Sequence, residues 1–243
     1  MNILIVGATG ATGKRLVEQL LERGQSVKAF VREGSELPEG VRGHKDLTII
    51  NGSVLDLPDM ELVTHVKDCD AVVSCLGHNI SFKGLFLPPR KLVRDSIRKL
   101  YQAVQLHEYP MPVKFLLMNT TGNRNRDLNE KISLKHRIVV ALLRILLPPQ
   151  ADNEAAANFL RVHVGQTDDK VEWLAVRPDG LIDEEAVTGY DVHPSPVRDP
   201  IFDAGQTSRI NVAHFMAELI LNTELWNKWK GQMPVIYNRD HGE

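Results

Sequence analysis

The stretch Asn2-Ile3-Leu4-Ile5-Val6-Gly7-Ala8-Thr9-Gly10-Ala11-Thr12-Gly13-Lys14-Arg15-Leu16-Val17 decides the fold. Its first five residues end in an unbroken apolar run of strand length, and three glycines follow at three-residue spacing. Leu16, Val17, Leu20 and Leu21 then recur on one helical stripe that stops at Gly24, a residue suited to the left-handed turn after a helix. A strand that enters a helix through so many glycines can turn tightly and bring its backbone close to another group. The N-terminus of the helix beyond offers unpaired N–H groups and the positive end of its dipole, which together favour an anion such as a phosphate. Thr9 and Thr12 add hydroxyl donors to that turn.

Outward from this turn, apolar runs alternate with amphipathic stretches of helix length, the pattern of successive βαβ units. Strands are expected at residues 2–6, 26–31, 47–51, 71–75, 113–118 and 172–176, with a late one at 234–237. Most are rich in Val, Ile and Leu without polar alternation, as in a parallel sheet covered on both faces. Beyond the first, helices are expected at about 59–66, 90–107, 134–147, 152–163 and 212–222, with Pro148 and Pro149 separating two of them. The fold class is therefore α/β, a doubly wound and mainly parallel sheet with helices on both faces. Residues 1–243 are expected to form one domain, without internal repeats. The irregular stretch 183–205, with Pro194, Pro196 and Pro200, reads as a loop or small cap, placing substrate-side elements in about 183–210.

Composition narrows the partners. Lys and Arg number 29 against 31 Asp and Glu, a formal charge of −2, so no global attraction to nucleic acid or to an anionic membrane is expected. The longest apolar stretch, residues 138–147, is interrupted by Arg144 and is shorter than the roughly 20 residues a bilayer needs. Cys69 and Cys75 lack the spacing of a zinc site, and no metal is expected. With the strand beginning at residue 2 and no basic, apolar leader, a reduced and cytoplasmic chain is the expectation.

The G-A-T-G-x-T-G turn resembles that of the extended or atypical short-chain dehydrogenase/reductase superfamily, whose Rossmann fold binds NAD(P). The resemblance implies that Gly7, Thr9, Gly10, Ala11, Thr12 and Gly13 hold the pyrophosphate. It places Arg32, at the end of the second strand, where an acid would pair with the ribose of NAD. An arginine there accommodates the 2′-phosphate of NADP, so NADP(H) is preferred and NAD(H) is the alternative. Gly52-Ser53-Val54-Leu55-Asp56 is similar to the segment after the third strand whose Ser53, Val54 and Leu55 would flank the adenine, although Ser53 replaces the usual acid. The run from Asp70 to Gly77 resembles the fourth-strand segment, which puts Cys75, Leu76 and Gly77 beside the ribose. Trp173-Leu174-Ala175-Val176-Arg177-Pro178 is similar to the W-x-x-x-R-P segment of the NmrA-like and flavin/biliverdin reductase group, implying that Pro178 borders the nicotinamide.

The catalytic pair of typical members is missing. In Tyr-x-x-x-Lys the lysine lowers the pKa of the tyrosine that donates the proton. Here Tyr101, Tyr109, Tyr190 and Tyr237 are followed four residues on by Gln105, Val113, Pro194 and His241. The helix that should carry the pair reads Asp152-Asn153-Glu154-Ala155-Ala156-Ala157-Asn158. The serine expected after the fifth strand is replaced by Asn119-Thr120-Thr121; Asn119 and Thr120 are retained as cofactor contacts, and Thr120 as a candidate for a substrate oxygen or the nicotinamide amide. His78, just past Gly77, is the other candidate for acid/base work. Two functions follow. One is a reductase that transfers hydride from NADPH to a small organic acceptor without the Tyr/Lys pair. The other is a non-catalytic redox sensor or assembly protein whose bound NAD(P) controls a protein partner.

Overall fold

The computed structural model describes residues 1–77, 91–128, 130 and 148–239. An 8-stranded sheet forms its centre, in the order β3-β2-β1-β4-β5-β6-β10-β8. The strands are β1 Asn2–Val6, β2 Ser26–Val31, β3 Leu47–Asn51, β4 Ala71–Ser74, β5 Val113–Met118, β6 Val171–Pro178, β8 Tyr190–His193 and β10 Val235–Asn238. Every pairing from β3 across to β10 is parallel, and β8 alone closes the sheet antiparallel, with Ile236 opposite Val192. This is a Rossmann α/β fold. The order reverses between β1 and β4, the place where such sheets open a crevice at the carboxyl ends of their strands.

The helices are α1 Gly13–Glu22, α2 Glu39–Arg42, α3 Asp59–Val66, α4 Leu92–Gln105, α5 Pro148–Asn158, α6 Arg209–Leu221 and α7 Thr223–Trp229. Because successive strand side chains point to opposite faces, β1 sends Ile3 and Ile5 into one core and Leu4 and Val6 into the other. In β6, Leu174 and Val176 join the first core while Trp173 and Ala175 join the second. The α1 stripe and α6 cover the first face, and α3, α4 and α5 cover the second. This is the physical meaning of strands without polar alternation.

Helix α1 ends as its sequence indicates: Gly24 N donates to Leu21 O at 2.9 Å and Gln25 N to Leu20 O at 3.0 Å, the paired bonds of a Schellman motif. Its neighbour α6 starts at Ser208, whose hydroxyl accepts from Asn211 N. The Arg23–Glu218 pair at 2.6 Å then ties α1 to α6.

Several elements depart from the sequence reading. The helix expected from residue 152 starts earlier, with Pro148 and Pro149 in its first turn, since a proline costs a helix little where the N–H has no partner anyway. Beyond Asn158 the helix widens into a π-helical turn, Phe159–Val164, ending at Gly165. The stretch 183–205 contains β8, and two short strands, β7 Gly180–Ile182 and β9 Gln206–Ser208, pair in parallel beside it. These strands hold three or four residues each, too short for a periodic signal. Helix 90–107 is seen as α4. Helix 134–147 and His78 lie outside the described residues. Among the described residues, no helix is long and apolar enough to cross a membrane, and no group of three or more His, Cys, Asp or Glu could hold a metal ion.

Candidate cofactor site

At the carboxyl end of β1 the chain turns at Gly7, whose φ is +75°. A Cβ there would stand 2.6 Å from the carbonyl carbon and oxygen of Cys75, so the turn is pressed directly onto the segment that follows β4. At Gly13 a Cβ would come within 2.1 Å of Gly7 O. The first and third glycines thus let the turn and the helix start occupy the same small space. Gly10 lies between them and donates to Gly7 O at 3.0 Å. Thr12 stands at the N-cap without a side-chain cap bond, and the first turn of α1 carries no acidic residue. The positive end of α1 is therefore left for an external anion.

This turn forms one end of a cleft of about 230 Å³. Gly7, Thr9 and Gly10 line it there, while Phe30, Arg32 and Ser35 enter from the end of β2. Gly52, Ser53 and Val54 form the wall after β3, and Cys75, Leu76 and Gly77 the floor after β4. Leu92 and Ser96 of α4 close it from above. Four successive parallel strands thus deliver their carboxyl ends to one crevice at the switch point. Arg32 is exposed at its rim and makes no side-chain hydrogen bond or ion pair with a described residue. Cys75 is half-buried, and burial pushes its thiol up from the ordinary 9.0 to about 12, so it faces the cleft as a neutral group.

The structure brings together Gly7, Thr9, Gly10, Arg32, Ser53, Val54, Cys75, Leu76 and Gly77 in this lining. Ala11, Thr12 and Gly13 stand behind the turn at the start of α1, and Leu55 lies one residue beyond the wall, outside the lining. Asn119, Thr120 and Pro178 lie farther along the sheet, at the ends of β5 and β6. There Asn119 Nδ2 donates to Asn153 O at 3.0 Å and its Oδ1 accepts from Thr120 N at 2.8 Å, which occupies the side chain in joining β5 to α5. The half-buried Thr120 hydroxyl accepts from Gly122 N at 3.2 Å. Phe30, Ser35, Leu92 and Ser96 were not identified in the sequence. For Ser96 a signal existed, a lone hydroxyl within the apolar stripe Val93, Ile97, Leu100.

Arg177, in the W-x-x-x-R-P segment, has no part in this lining. It is fully buried, and its guanidinium meets Glu130 Oε1 at 2.7 Å, with the Glu130 side chain 5% exposed. It also donates to Met233 O at 2.6 Å, Asn123 O at 2.9 Å and Pro194 O at 3.3 Å. One side chain thus binds together the end of β6, the loop after β5, the lead into β10 and the loop after β8. A neighbouring knot joins Thr121 Oγ1 to Asp179 Oδ1 at 2.9 Å, and Asp179 Oδ2 accepts from Gly205 N at 2.8 Å.

Three of the four tyrosines are engaged elsewhere. Tyr101 donates to Asp168 at 2.8 Å and Tyr109 to Val66 O at 3.1 Å, while Tyr190 meets His214 Nδ1 at 2.8 Å. Burial raises all four, Tyr101 and Tyr190 to about 12. That is opposite to the shift a tyrosine needs to release a proton near neutrality. None of the four lines the cleft.

Comparison with known proteins agrees with this geometry. Residues 7–223 match a family model described as NAD(P)H-binding. An uncharacterised chloroplastic protein of Arabidopsis thaliana is 37% identical over 87 residues, 36% of this chain and 31% of that protein. An isoflavone reductase homologue of the same plant is 43% identical over 84 residues, 31% of this chain and 26% of the homologue. The chain thus spans under a third of the length of these two relatives. Among solved structures, the oxidoreductase ylbE of Lactococcus lactis superposes with a TM-score of 0.69 at 20% identity, covering 99% of this chain and 92% of that one. A wide-type short-chain dehydrogenase/reductase of Veillonella parvula in complex with NADP gives 0.67 at 17% identity, covering 98% and 94%. ChuY, an anaerobillin reductase of Escherichia coli, gives 0.66 at 16% identity, with both chains fully covered. With its glycine turn, its switch-point crevice and a family match over residues 7–223, the chain belongs to the NAD(P)H-binding family of Rossmann proteins.

Proposed function

We propose that this chain is an NADPH-dependent reductase that delivers hydride to a small organic acceptor, with the accompanying proton drawn from solvent. The observation that carries the cofactor reading is the pairing of a glycine turn that a Cβ at Gly7 or Gly13 would not fit with a guanidinium at the cleft rim that pairs with no described residue. The turn between Gly7 and Gly13 binds the pyrophosphate through backbone N–H groups at the positive end of α1, while Gly10 N stays bonded to Gly7 O. Arg32 takes the 2′-phosphate with charge-assisted hydrogen bonds, which is why NADP(H) is favoured over NAD(H). Val54 and Leu76 hold apolar parts of the cofactor away from water. Thr120 uses its oxygen to accept from Gly122 N, which leaves its O–H to orient an acceptor oxygen or the nicotinamide amide. When bound, the dihydronicotinamide supplies the hydride. The relatives support the reductase class, since ChuY is an anaerobillin reductase and a Streptococcus pneumoniae neighbour is a putative NADH-flavin reductase.

A second reading has its own observation. With no tyrosine in the cleft lining and all four shifted upward, the described residues hold no tyrosine proton donor at the site. That suits a redox sensor or assembly protein whose bound NAD(P) state controls a protein partner. Calorimetric titration with NADPH and NADH, followed by NADPH oxidation with quinones, flavins and aldehydes, separates the two. Tight NADPH binding with turnover is the expected result. Binding without turnover favours the sensor, and absence of binding by both nucleotides overturns the cofactor reading.

A further inference from the structure

We propose that Ser96 reads the hydrogen-bonding edge of the cofactor's base, and so makes this cleft selective for adenine over bases whose edge is blocked. The inference rests on the reading above that the cleft holds a nicotinamide–adenine dinucleotide.

Ser96 lies on α4 among the buried Val93, Ile97 and Leu100, and it is 1% exposed. Its Oγ has no hydrogen-bond partner among the described residues. A serine inside a helix ordinarily returns its hydroxyl to the carbonyl four residues back, but Leu92 O does not take it here. A buried hydroxyl left unpaired is destabilising and calls for an explanation. The explanation is its position, since Ser96 lines the cleft beside Leu92.

One helical turn further on, Lys99 fixes this face of α4. Its ammonium donates to Leu57 O, approaches Leu55 O at 3.5 Å and pairs with Asp59 at 3.3 Å. Helix α4 is thereby pinned to the segment that follows β3, and Ser96 to the side of the cleft walled by Val54. The phosphates belong at the other end, at Gly7 and Gly10, with Arg32 on the rim. Val54, Leu76 and Leu92 give the lining its apolar walls, and among its described residues Ser96 alone holds a buried hydroxyl without a partner. A flat heteroaromatic ring suits such walls. The adenine edge, with an amino donor beside a ring-nitrogen acceptor, suits a hydroxyl that can both accept and donate.

The test is fluorescence titration of the full chain with NADPH and with its 1,N6-ethenoadenine derivative, in which that edge is closed by a fused ring. Ser96→Ala is expected to weaken NADPH binding about 5- to 10-fold, the loss of one net hydrogen bond. Wild type should prefer NADPH over the etheno derivative about tenfold, and this preference should collapse in Ser96→Ala. Ser96→Cys keeps the volume but hydrogen-bonds weakly, and it should behave like Ser96→Ala. The unliganded variants should melt no lower than wild type, because they remove an unpaired polar group. NADPH binding within about twofold of wild type in both variants, with the preference over the etheno derivative unchanged, overturns the role of Ser96 alone. If wild type binds neither NADPH nor NADH, the cofactor reading falls with it.

Discussion

Replacing Arg177 with Met keeps most of the side-chain volume but removes the charge. It leaves Glu130, whose side chain is 5% exposed, without its counter-ion and strips Met233 O, Asn123 O and Pro194 O of a donor. Breaking a buried pair from one side costs about 3–5 kcal/mol, because the remaining charge stays buried and uncompensated. With a urea slope near the upper end of the 1–3 kcal/mol/M range, as the length of the chain suggests, the midpoint should fall by about 1–2 M. Arg177→Met/Glu130→Leu should recover a large part of that loss, since no charge is then stranded. Because Arg177 lies outside the cleft lining, NADPH affinity measured well below the transition should change by less than about twofold in either variant. A midpoint shift below about 0.3 M for the single variant would show that Glu130 is effectively solvated. A large affinity loss with an unchanged midpoint would instead make Arg177 a cofactor ligand.

Arg32→Ala should weaken NADPH binding about tenfold, the lower end for a charged hydrogen bond because the guanidinium is exposed, and leave NADH within about twofold. Equal losses for the two nucleotides in calorimetry would remove the 2′-phosphate assignment. The Cys75 thiol, held at about 12 in the fold against 9.0 ordinarily, favours the native state only while protonated. Its contribution is complete below pH 9.0 and is lost as pH rises from there toward about 12, by at most about 1.4 kcal/mol per pH unit. Cys75→Ala should therefore show a shallower decline in melting temperature above pH 9.0 than wild type, and parallel alkaline curves would contradict the shift.

What could be read from the sequence follows from how local each signal is. The strands β1 to β6 are short, mainly apolar runs, and the glycine turn sits between the first of them and an amphipathic helix, so the sheet and the anion end of the cleft were legible in consecutive residues. Strands β7, β8 and β9 were hidden because three or four residues carry no period, and Tyr190 to His193 owe their strand to pairing with β10, far along the chain. The α4 wall was hidden for a related reason. Which turn of a helix meets a cleft depends on tertiary ties such as Lys99 to Leu57, which span 42 residues. Arg177 shows the opposite limit. Its segment was recognisable, but whether the arginine faces a ligand or a buried carboxylate was decided by Glu130, 47 residues earlier.

The carboxylate of Asp152, brought in by α5, accepts from Val93 N at 2.8 Å and Arg94 N at 3.1 Å at the start of α4. The chain thus neutralises from within the amino end of one helix bordering the crevice while leaving that of α1 uncapped. An anionic linkage entering between them is drawn to the α1 end and not to the α4 end. Where negative charge can settle in the crevice is in this sense set by a carboxylate on a different helix.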